Sequence, residues 1–298
     1  MLEHLNSTPK APQRVVVIGA SGFVGKAVAA RMESDGVSVL RITRDQVDLS
    51  AADAGVRLAA LLRTGDAVVA AAARAPCKDA DMLVENMIMA RGLARALSSV
   101  QVAHVINISS DAVYADSPAP LNESSCASPA SLHGVMHVAR EVLFRSELKA
   151  PLAVLRPSLL YGAGDPHNGY GPNRFRRLAA KGQEIVLFGE GEERRDHVFI
   201  DDVAELVARA LYRRSQGTLN VATGAVYSFR AIAEKVVALS GRSVAIRATP
   251  RSGPMPHGGY RPFDITECKK SFPDFRYTPL DDGLPRAQRE MQAEDRRG

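Results

Sequence analysis

The stretch GASGFVG at residues 19–25 restricts the fold more than any other part of the sequence. It follows RVVVI, a run typical of a buried strand, and precedes KAVAARMES, in which apolar residues recur at helical spacing. Its glycines permit a tight turn and close approach of the backbone to a phosphate, while the start of the helix supplies partial positive charge. The sequence therefore predicts a unit that binds the pyrophosphate of a dinucleotide, with contacts from Gly19, Ser21, Gly22, Phe23, Val24 and Gly25.

Strands and helices alternate through the first half of the chain. The pattern of apolar residues predicts strands at 37–43, 66–73, 104–110 and 152–158, and helices at 52–63, 81–98 and 132–148. Such alternation is typical of a parallel sheet covered by helices on both faces. We therefore expect an α/β fold with a doubly wound parallel sheet of the Rossmann type.

The composition changes after about Tyr161, where segments such as YGAGDPHNGYGPNRF are rich in Gly, Pro and Asn. This change indicates a second, smaller α/β lobe that binds substrate. We expect a dinucleotide-binding domain at 14–165, rejoined by about 196–224, and the smaller lobe at 166–195 and 225–298. The polar residues 1–13 are expected to form a flexible tail.

Composition and charge exclude several classes of protein. With 46% hydrophobic and 24% charged residues the chain is an ordinary globular protein. Its 38 basic residues are dispersed among 33 acidic ones, which argues against a nucleic-acid partner. No apolar run approaches the roughly 18 residues that would cross a bilayer, so no membrane partner is expected. The cysteines, Cys77, Cys126 and Cys268, form no CxxC pair, and the chain is expected to be cytoplasmic.

The end of the second predicted strand, RITRDQVDL, bears on the choice of dinucleotide. Sites for NAD usually place an acidic residue here, whereas the 2′-phosphate of NADP calls for arginine. Arg41 and Arg44 occupy this end, with Thr43 between them, so NADP(H) is favoured and NAD(H) stays possible. Asp48 is expected to contact adenine or to cap a helix. The alternative is that both arginines are solvated surface residues.

Further motifs follow in order along the chain: AAAA after the third strand, Asn86, ISSDAVY at 108–114, LRPSLLYG at 155–162, RRDHVFIDDVA at 194–204 and LNVATG at 219–224. With these motifs the chain resembles the extended short-chain dehydrogenase/reductase family, in its NAD(P)-dependent epimerase/dehydratase group acting on nucleotide sugars. The resemblance implies cofactor contacts at Ala71, Ala72, Asn86, Pro157 and Ser158. The segment TRDQVDL is similar to NADPH-dependent ketoreductases of nucleotide-linked deoxysugars.

The resemblance also implies a nucleotide-diphosphate sugar as substrate. It places Ser110 where the family hydrogen-bonds the reacting sugar oxygen, and Asp111 where dehydratases carry an acid/base, although a turn role for Asp111 is an equal alternative. It matches Arg195 and Asn173 to diphosphate contacts. Tyr161 and His167 are expected to reach the substrate from the cleft. A homodimer through the helices at 81–98 and 132–148 is a further implication.

One departure from the family pattern concerns its Tyr-x-x-x-Lys pair, in which Tyr is the acid/base and Lys binds the nicotinamide ribose. Aligning Pro129 and Gly134 with the family pattern puts His133 at the Tyr position and His137 at the Lys position. The departure puts the standard mechanism in doubt and leaves several interpretations open.

In the first interpretation His133 is the acid/base, because imidazole titrates near neutral pH without help, and His137 binds ribose. Ser110 with Asp111 could instead carry the proton. In the second, the chain is a non-catalytic NAD(P)-binding sensor or scaffold. In the third, His133 and His137 bind a metal, which the lack of a following Glu disfavours, so no metal is expected. The remaining possibility is that these histidines are merely packed. The sequence favours an NADP(H)-dependent 4-keto reductase of a nucleotide-linked sugar, with an epimerase or dehydratase as the close alternative.

Overall fold

The computed structural model describes residues 1–295 of the chain. Its strands are β1 Leu2–His4, β2 Arg14–Ile18, β3 Ser38–Ile42, β4 Ala67–Ala70, β5 His104–Ile108, β6 Leu152–Pro157, β7 Leu159–Tyr161, β8 Ile185–Phe188, β9 Arg194–Phe199, β10 Ser215–Val221, β11 Val226–Ser228, β12 Ile246–Thr249 and β13 Tyr260–Arg261. Its α-helices are α1 Phe23–Ser34, α2 Ala54–Ala59, α3 Ala80–Ser99, α4 Leu132–Glu147, α5 Pro172–Ala180, α6 Ile200–Tyr212, α7 Phe229–Ser240, α8 Thr266–Ser271 and α9 Leu280–Asp295. Short 3-10 turns lie at Asp111–Val113 and Pro256–Gly259.

Seven strands form the central sheet, in the order β1-β10-β6-β5-β4-β2-β3. All neighbouring pairs are parallel except β1 with β10. One apolar core packs α1 and α6 against one face, and a second packs α2, α3 and α4 against the other. The expected doubly wound parallel sheet is therefore confirmed.

The predicted elements of the first half are present, with ends that differ by a few residues. The largest difference is in α2, which ends at Ala59 and not at residue 63. The backbone N–H groups of Leu61 and Leu62 bond to carbonyls three residues back, so the chain tightens out of the α-helix. It then turns at Gly65, whose φ of 87° favours glycine, and enters β4.

The site is positioned where the order of strands reverses. β2 pairs with β3 on one side and with β4 on the other, so the strands that follow β2 are added to opposite sides of it. In open parallel sheets a crevice forms at the carboxyl ends of the strands beside such a point, and ligands bind there. The loops after β2, β4, β5 and β6 all open at this edge.

Helix α4 is held close to this edge by local and long-range contacts. The Ser131 hydroxyl caps its start by accepting from the Gly134 N–H at 3.2 Å. A Cβ on Gly134 would lie 2.1 Å from the Ala112 carbonyl oxygen, so only glycine allows this approach to the 3-10 turn. Further along, buried Glu141 accepts two bonds from Arg156 on β6, at 2.9 and 2.6 Å. The contacts at Gly134 and Glu141 therefore fix α4 against the 3-10 turn that follows β5 and against β6.

Two further sheets and a further core lie outside the central sheet, formed by the range expected for the smaller lobe together with β7 and β9. β9 pairs with β11, β13 and β7, and β8 pairs with β12. This further core packs α5, α7 and α9 around Phe175, Phe199 and Phe229. α8 is an exception to the expected boundary at 225–298, because Cys268 and the following Phe272 and Phe275 pack into the core beneath the central sheet. The chain thus returns to the larger domain before α9.

The expectation of a flexible tail at 1–13 is wrong for its first residues. β1 adds an antiparallel edge strand to β10, and the Leu2 N–H donates to Glu267 at 2.7 Å. The His4 ring lies against Phe272 with centroids 5.1 Å apart. These partners come from distant parts of the chain, which local polarity does not reveal. None of the described helices is long and apolar enough to cross a membrane.

Candidate cofactor and substrate site

The glycine turn after β2 is built for a ligand that approaches the backbone. Gly19 has φ of 88°, and a Cβ there would lie 2.7 Å from the backbone of Ala72. A Cβ on Gly25 would lie 2.1 Å from the Gly19 carbonyl oxygen, which explains the close packing of α1 on the turn. α1 has no acidic residue in its first turn and no side-chain cap, so its N-terminal dipole is left for an anion. This cradle fits the pyrophosphate of a dinucleotide.

A pocket lies beside the turn, where the sequence predicts the adenosine end of the dinucleotide, and it is called the adenosine pocket below. The residues that line it include Arg74 and Glu85, which the sequence did not assign. The predicted cofactor residues that line it are Gly19, Ser21, Gly22, Thr43, Arg44, Asp48, Ala71 and Ala72. Arg44 is 70% exposed and lies 3.3 Å from Asp48. Asp48 accepts from the N–H and hydroxyl of Ser50, so it closes a turn and does not cap a helix.

Arg41 differs from the expectation that it binds the dinucleotide. Its guanidinium forms two bonds with Glu33 at 2.8 and 2.7 Å, and it does not line the pocket. Alternate residues of a strand point to opposite faces, and this one turns toward α1. Arg74 was not predicted from the sequence as a cofactor contact. It follows the alanine run, lines the pocket and pairs with Glu85.

Asn86 was expected to contact the cofactor, but its amide serves the backbone. Its carbonyl oxygen accepts from the Arg74 N–H at 2.9 Å, and its NH₂ group donates to the carbonyls of Arg74 and Met82. These bonds use the side chain fully, and Asn86 lines neither pocket of the site. It therefore holds the loop after β4 in place.

The adenosine pocket continues into a cleft of about 540 Å³ between the two lobes, a volume within the usual range for ligand sites. Gly22, Ala71 and Ala73 line both cavities, which makes them one trough. The predicted residues that line the cleft are Phe23, Val24, Gly25, Ser110, Asp111, His133, His137, Pro157, Ser158, His167, Asn173 and Arg195. The fold thus brings residues from both lobes to one place.

Ser110 and Asp111 lie at the end of β5, where the 3-10 turn begins. The Ser110 hydroxyl accepts from the Ala112 N–H at 3.1 Å and donates to Asp111 at 3.3 Å. The carboxylate of Asp111 lies 3.6 Å from Arg195 and 3.2 Å from Arg261. Asp111 is therefore the shared partner of two guanidinium groups as well as the start of a turn.

Arg261 supports the site through Asp111 without lining the cleft, and the sequence did not predict this role. It is 2% exposed, and it donates to the Asp111 backbone carbonyl at 2.7 Å as well as to its side chain. It also bonds to Asp116 and to the His257 ring. The two members of the Arg261–Asp111 pair are 150 residues apart in the chain, and the only sequence signal is an arginine in the segment YRPFD.

His133 lies at the start of α4 and lines the same cleft as Ser110. Its Nδ1 accepts from the Cys77 N–H at 3.4 Å, so the neutral ring carries its proton on Nε2. Burial lowers the pKa of His133 below the usual 6.5, and the charge of Asp111 opposes this shift. The neutral imidazole is thus the favoured form, with the charged form accessible in acid.

His137 lies one turn further along, in edge contact with His133 at 4.7 Å between ring centroids. It is 5% exposed, and its Nδ1 has no partner among the described residues. Burial, with the charges of His133 and Arg140, holds the pKa of His137 well below 6.5. His137 is therefore a neutral hydrogen-bonding group at the wall of the cleft. Within residues 1–295, no group of three or more metal-ligating side chains surrounds this pair.

The remaining residues expected to contact substrate occupy different places. His167 and Arg195 line the cleft, whereas Tyr161 is fully buried and does not. A Cβ on Gly283 would lie 2.0 Å from the Tyr161 hydroxyl, which places this side chain against α9. Asn173 lines the cleft but its amide is already bonded to Gly162, Leu160, Asp165 and Arg176. Asn173 thus shapes the cleft wall.

Comparison with known proteins agrees with this architecture. The profile of the NAD dependent epimerase/dehydratase family matches residues 15–222. The chain belongs to that family. A dTDP-4-dehydro-6-deoxy-D-allose reductase from Streptomyces bikiniensis is 27% identical, over 94% of this chain and 96% of its own length. A dTDP-6-deoxy-L-talose 4-dehydrogenase (NAD(P)(+)) from Kitasatospora kifunensis is also 27% identical, over 88% of this chain and 90% of its own.

Solved structures share the fold of this epimerase/dehydratase family member. UDP-glucose 4-epimerase from Thermotoga maritima aligns with a TM-score of 0.84 and 21% identity, covering 95% of this chain and 99% of that one. A GDP-L-fucose synthetase from Naegleria fowleri aligns with a TM-score of 0.85 and 16% identity, covering 99% and 98%. The expected family, and with it the expectation of an enzyme, is confirmed.

Proposed function

We propose that this member of the epimerase/dehydratase family is an NADP(H)-dependent reductase of a 4-keto group on a nucleotide-diphosphate sugar, with His133 as its acid/base. The observation that carries the proposal is that Ser110 and His133, from different elements, line the cleft that joins the dinucleotide trough. The two relatives compared above, both named for activity on dTDP-linked deoxysugars, support the substrate class.

The trough supports a nicotinamide dinucleotide. The cradle at Gly19, Gly22 and Gly25 would hold its pyrophosphate, and the part lined by Ala73, Pro157 and Ser158 would hold its nicotinamide end. When bound, the nicotinamide exchanges a hydride with the substrate carbon. Arg44 and Arg74, both lining the adenosine pocket, are the cations available for a 2′-phosphate, which favours NADP over NAD.

Ser110 and His133 supply the hydrogen bond and the proton that reduction of the carbonyl requires. The Ser110 hydroxyl, now donating to Asp111, turns to donate to the carbonyl oxygen and so positions it. Nε2 of His133 holds or releases the proton of the sugar oxygen. In reduction the imidazolium donates this proton, and in the reverse direction the neutral ring accepts it. Asp111 lies near enough for its charge to favour the imidazolium, which makes the acid form accessible despite burial.

Arg195 is the proposed diphosphate contact from the second lobe. It lines the cleft, and Asp111 and Glu193 hold its guanidinium at 3.6 and 3.3 Å. A guanidinium fixed by carboxylates on one side can present its remaining N–H groups to a phosphate on the other. His167, on the loop before α5, is the proposed sugar contact.

We also propose that two copies pair through α3 and α4. These helices leave Val84, Leu132, Val135 and Val142 exposed, with Val84 at 59% and Val142 at 57%. Apolar side chains grouped on neighbouring helices are typical of an interface. Light scattering during size-exclusion chromatography should give the mass of a dimer, and a Val142→Asp variant should shift it toward the monomer. A monomeric wild type would refute this pairing.

The experiment that tests the function is NADPH consumption by the purified protein. The substrates are 4-keto-6-deoxy sugars linked to dTDP, UDP and GDP, with His133→Ala as the test variant and Val56→Ala, an exposed change on α2, as the control. General acid/base catalysis contributes roughly 10²–10⁴-fold, so we expect His133→Ala to lose at least about 100-fold in kcat. The control should keep full activity.

The pattern of results separates the alternatives. Interconversion of sugar epimers without net NADPH loss would identify an epimerase. Cofactor binding without turnover of any substrate would identify a sensor or scaffold. Turnover that survives in His133→Ala would identify a reductase in which His133 is not the acid/base. Ser110 with Asp111 would then carry the proton.

A further inference from the structure

Another buried polar residue of α4, Arg140, lies beyond the two histidines. Arg140 follows His137 by one helical turn and is 3% exposed. Its Nη1 donates to the Ala72 carbonyl at 2.6 Å and its Nη2 to the Ala70 carbonyl at 2.7 Å. Its guanidinium also lies over the Phe144 ring, 5.2 Å from the centroid. The side chain is thus fixed between α4 and the end of β4.

The carbonyls that Arg140 binds belong to the wall of the trough. Ala71 and Ala73 line both the adenosine pocket and the cleft, and Ala72 packs directly against Gly19 of the phosphate cradle. The Ala71 N–H still donates to the Ile18 carbonyl of β2 at 2.9 Å, whereas Ala72 and Ala73 lie beyond the end of β4. Arg140 therefore connects the helix that carries the histidines to the wall on which a dinucleotide would rest.

The charge of Arg140 is not neutralised by a carboxylate. Across the described residues Arg140 forms no ion pair, whereas Arg156, which also contacts α4, pairs with Glu141 at 2.6 Å. Burial lowers the pKa of the Arg140 guanidinium to about 10, which still leaves it charged at neutral pH. Burying an unpaired charge is costly, so a structural role alone is a poor reason for a cation here.

We propose that Arg140 is a positioning residue of the site: it anchors the Ala70–Ala73 wall to α4, and its fixed charge adds to burial in keeping His137 in the neutral, hydrogen-bonding form. The charge also disfavours double protonation of the histidine pair, so that a proton taken up at low pH goes to His133, nearer Asp111. The inference rests on the proposed function, because it concerns the same cleft. Besides His133 and His137, the titratable and charged groups that line this cleft are Asp111, Asp165, His167, Arg195 and His197, and Arg140 itself does not line it.

The test compares two variants that each keep a nitrogen donor group and differ in charge, Arg140→Lys and Arg140→Gln. Arg145→Gln is the control, since Arg145 lies on the same helix, is half-exposed and pairs with Glu141, two turns beyond His137. NMR of protein labelled in histidine follows the titration of His137 without cofactor or substrate. Isothermal calorimetry then gives the dissociation constants of NADPH and NADH, and thermal unfolding checks that each variant folds.

We expect the wild-type His137 to titrate well below 6.5, and its pKa to rise in Arg140→Gln but not in Arg140→Lys. Loss of one charge-assisted bond to the wall should weaken binding of both dinucleotides by on the order of tenfold in either variant. A wild-type His137 that titrates at or above 6.5 would overturn the proposal even if no variant folds. Equal His137 pKa values in the two variants would overturn the role of the charge. Because no substrate is used, failure of the reductase assay would not affect this result.

Discussion

At the scale of single residues, the two histidines decide what chemistry the cleft supports. Two imidazoles on α4 stand at the positions where the family pattern has a phenol and an ammonium. Neighbouring groups set the tautomer and the charge of His133. The Cys77 N–H fixes the tautomer of His133, and Asp111 favours its charged form. Because burial favours the neutral ring, His133 suits a base at neutral pH and an acid at lower pH.

This balance predicts opposite pH dependences for the two directions of the reaction. Reduction needs the imidazolium, so kcat/KM should fall as pH rises through the pKa of His133, which lies below 6.5. Oxidation of the alcohol needs the neutral ring, so its kcat/KM should rise over the same range and level off above it. Steady-state profiles in both directions between about pH 5 and about pH 8 test this. Reduction that accelerates with rising pH would contradict His133 as the acid.

The arginines at the adenosine end predict how the cofactor is chosen. Arg44→Ala should weaken NADPH binding by roughly 10- to 100-fold, because a bond to a charged group is lost, and should leave NADH binding nearly unchanged. Arg41→Ala is the matched control, since Arg41 is paired with Glu33 away from the pocket. Fluorescence titration with both dinucleotides measures the affinities. A larger effect at Arg41 than at Arg44 would contradict this assignment.

These residues also show where sequence reasoning succeeds and where it stops. The positions of Ser110, His133 and Arg195 follow from motifs that are local in sequence, and all three line the cleft. The surroundings of Arg261 and Tyr161 depend on packing between distant segments. Arg261 depends on β13 packing against the 3-10 turn at Asp111–Val113, and Tyr161 depends on α9 packing against β7. Such contacts leave no periodic trace in the chain.

At the scale of elements, the turn between β2 and α1 is the most constrained part of the site. Strand, turn and helix were all predictable because apolar runs and glycine spacing are local signals. The edge strand β1 was not, since its stability comes from pairing with β10 and from contact with α8. Short polar segments gain structure only from such tertiary partners.

The close contact inside this turn predicts a large effect of one added carbon. In Gly25→Ala the new Cβ would lie 2.1 Å from the Gly19 carbonyl oxygen, so α1 must move away from the phosphate cradle. We expect a lower Tm and loss of dinucleotide binding. Lys26→Ala, an exposed change on the same helix, should alter neither. Thermal unfolding and calorimetry measure both effects, and a Gly25→Ala variant that binds normally would show that the cradle is not the binding element.

At the scale of the whole molecule, the returning segment α8 packs into the core of the central sheet, while the cleft is lined by residues from both parts of the chain. Buried neutral histidines make the fold sensitive to acid. His104 on β5 is 2% exposed and bonded to the Ser215 carbonyl of β10 at 2.6 Å. Burial lowers its pKa to about 4, so the folded protein binds this proton less readily than the unfolded chain does.

The sign of this shift predicts how stability changes with pH. The contribution of His104 to the free energy of unfolding is complete above about 6.5 and is lost as pH falls toward about 4. Over that range it amounts to roughly 3 kcal/mol. A folded His104→Gln variant should lose less stability between these pH values than the wild type, whereas His167→Gln, on an exposed loop, should behave as the wild type does. Denaturant unfolding across pH measures this, and identical slopes for all three proteins would contradict it.

The most direct test of the account follows one deuterium atom. The protein is incubated with NADPH that carries deuterium at the transferable position and with a dTDP-linked 4-keto-6-deoxy sugar, and the product is analysed by mass spectrometry and NMR. We predict deuterium at C4 of the sugar in the wild type and at least about 100-fold slower transfer in His133→Ala. A product that carries no deuterium, or equal transfer by the His133→Ala variant, would contradict a histidine-dependent reductase.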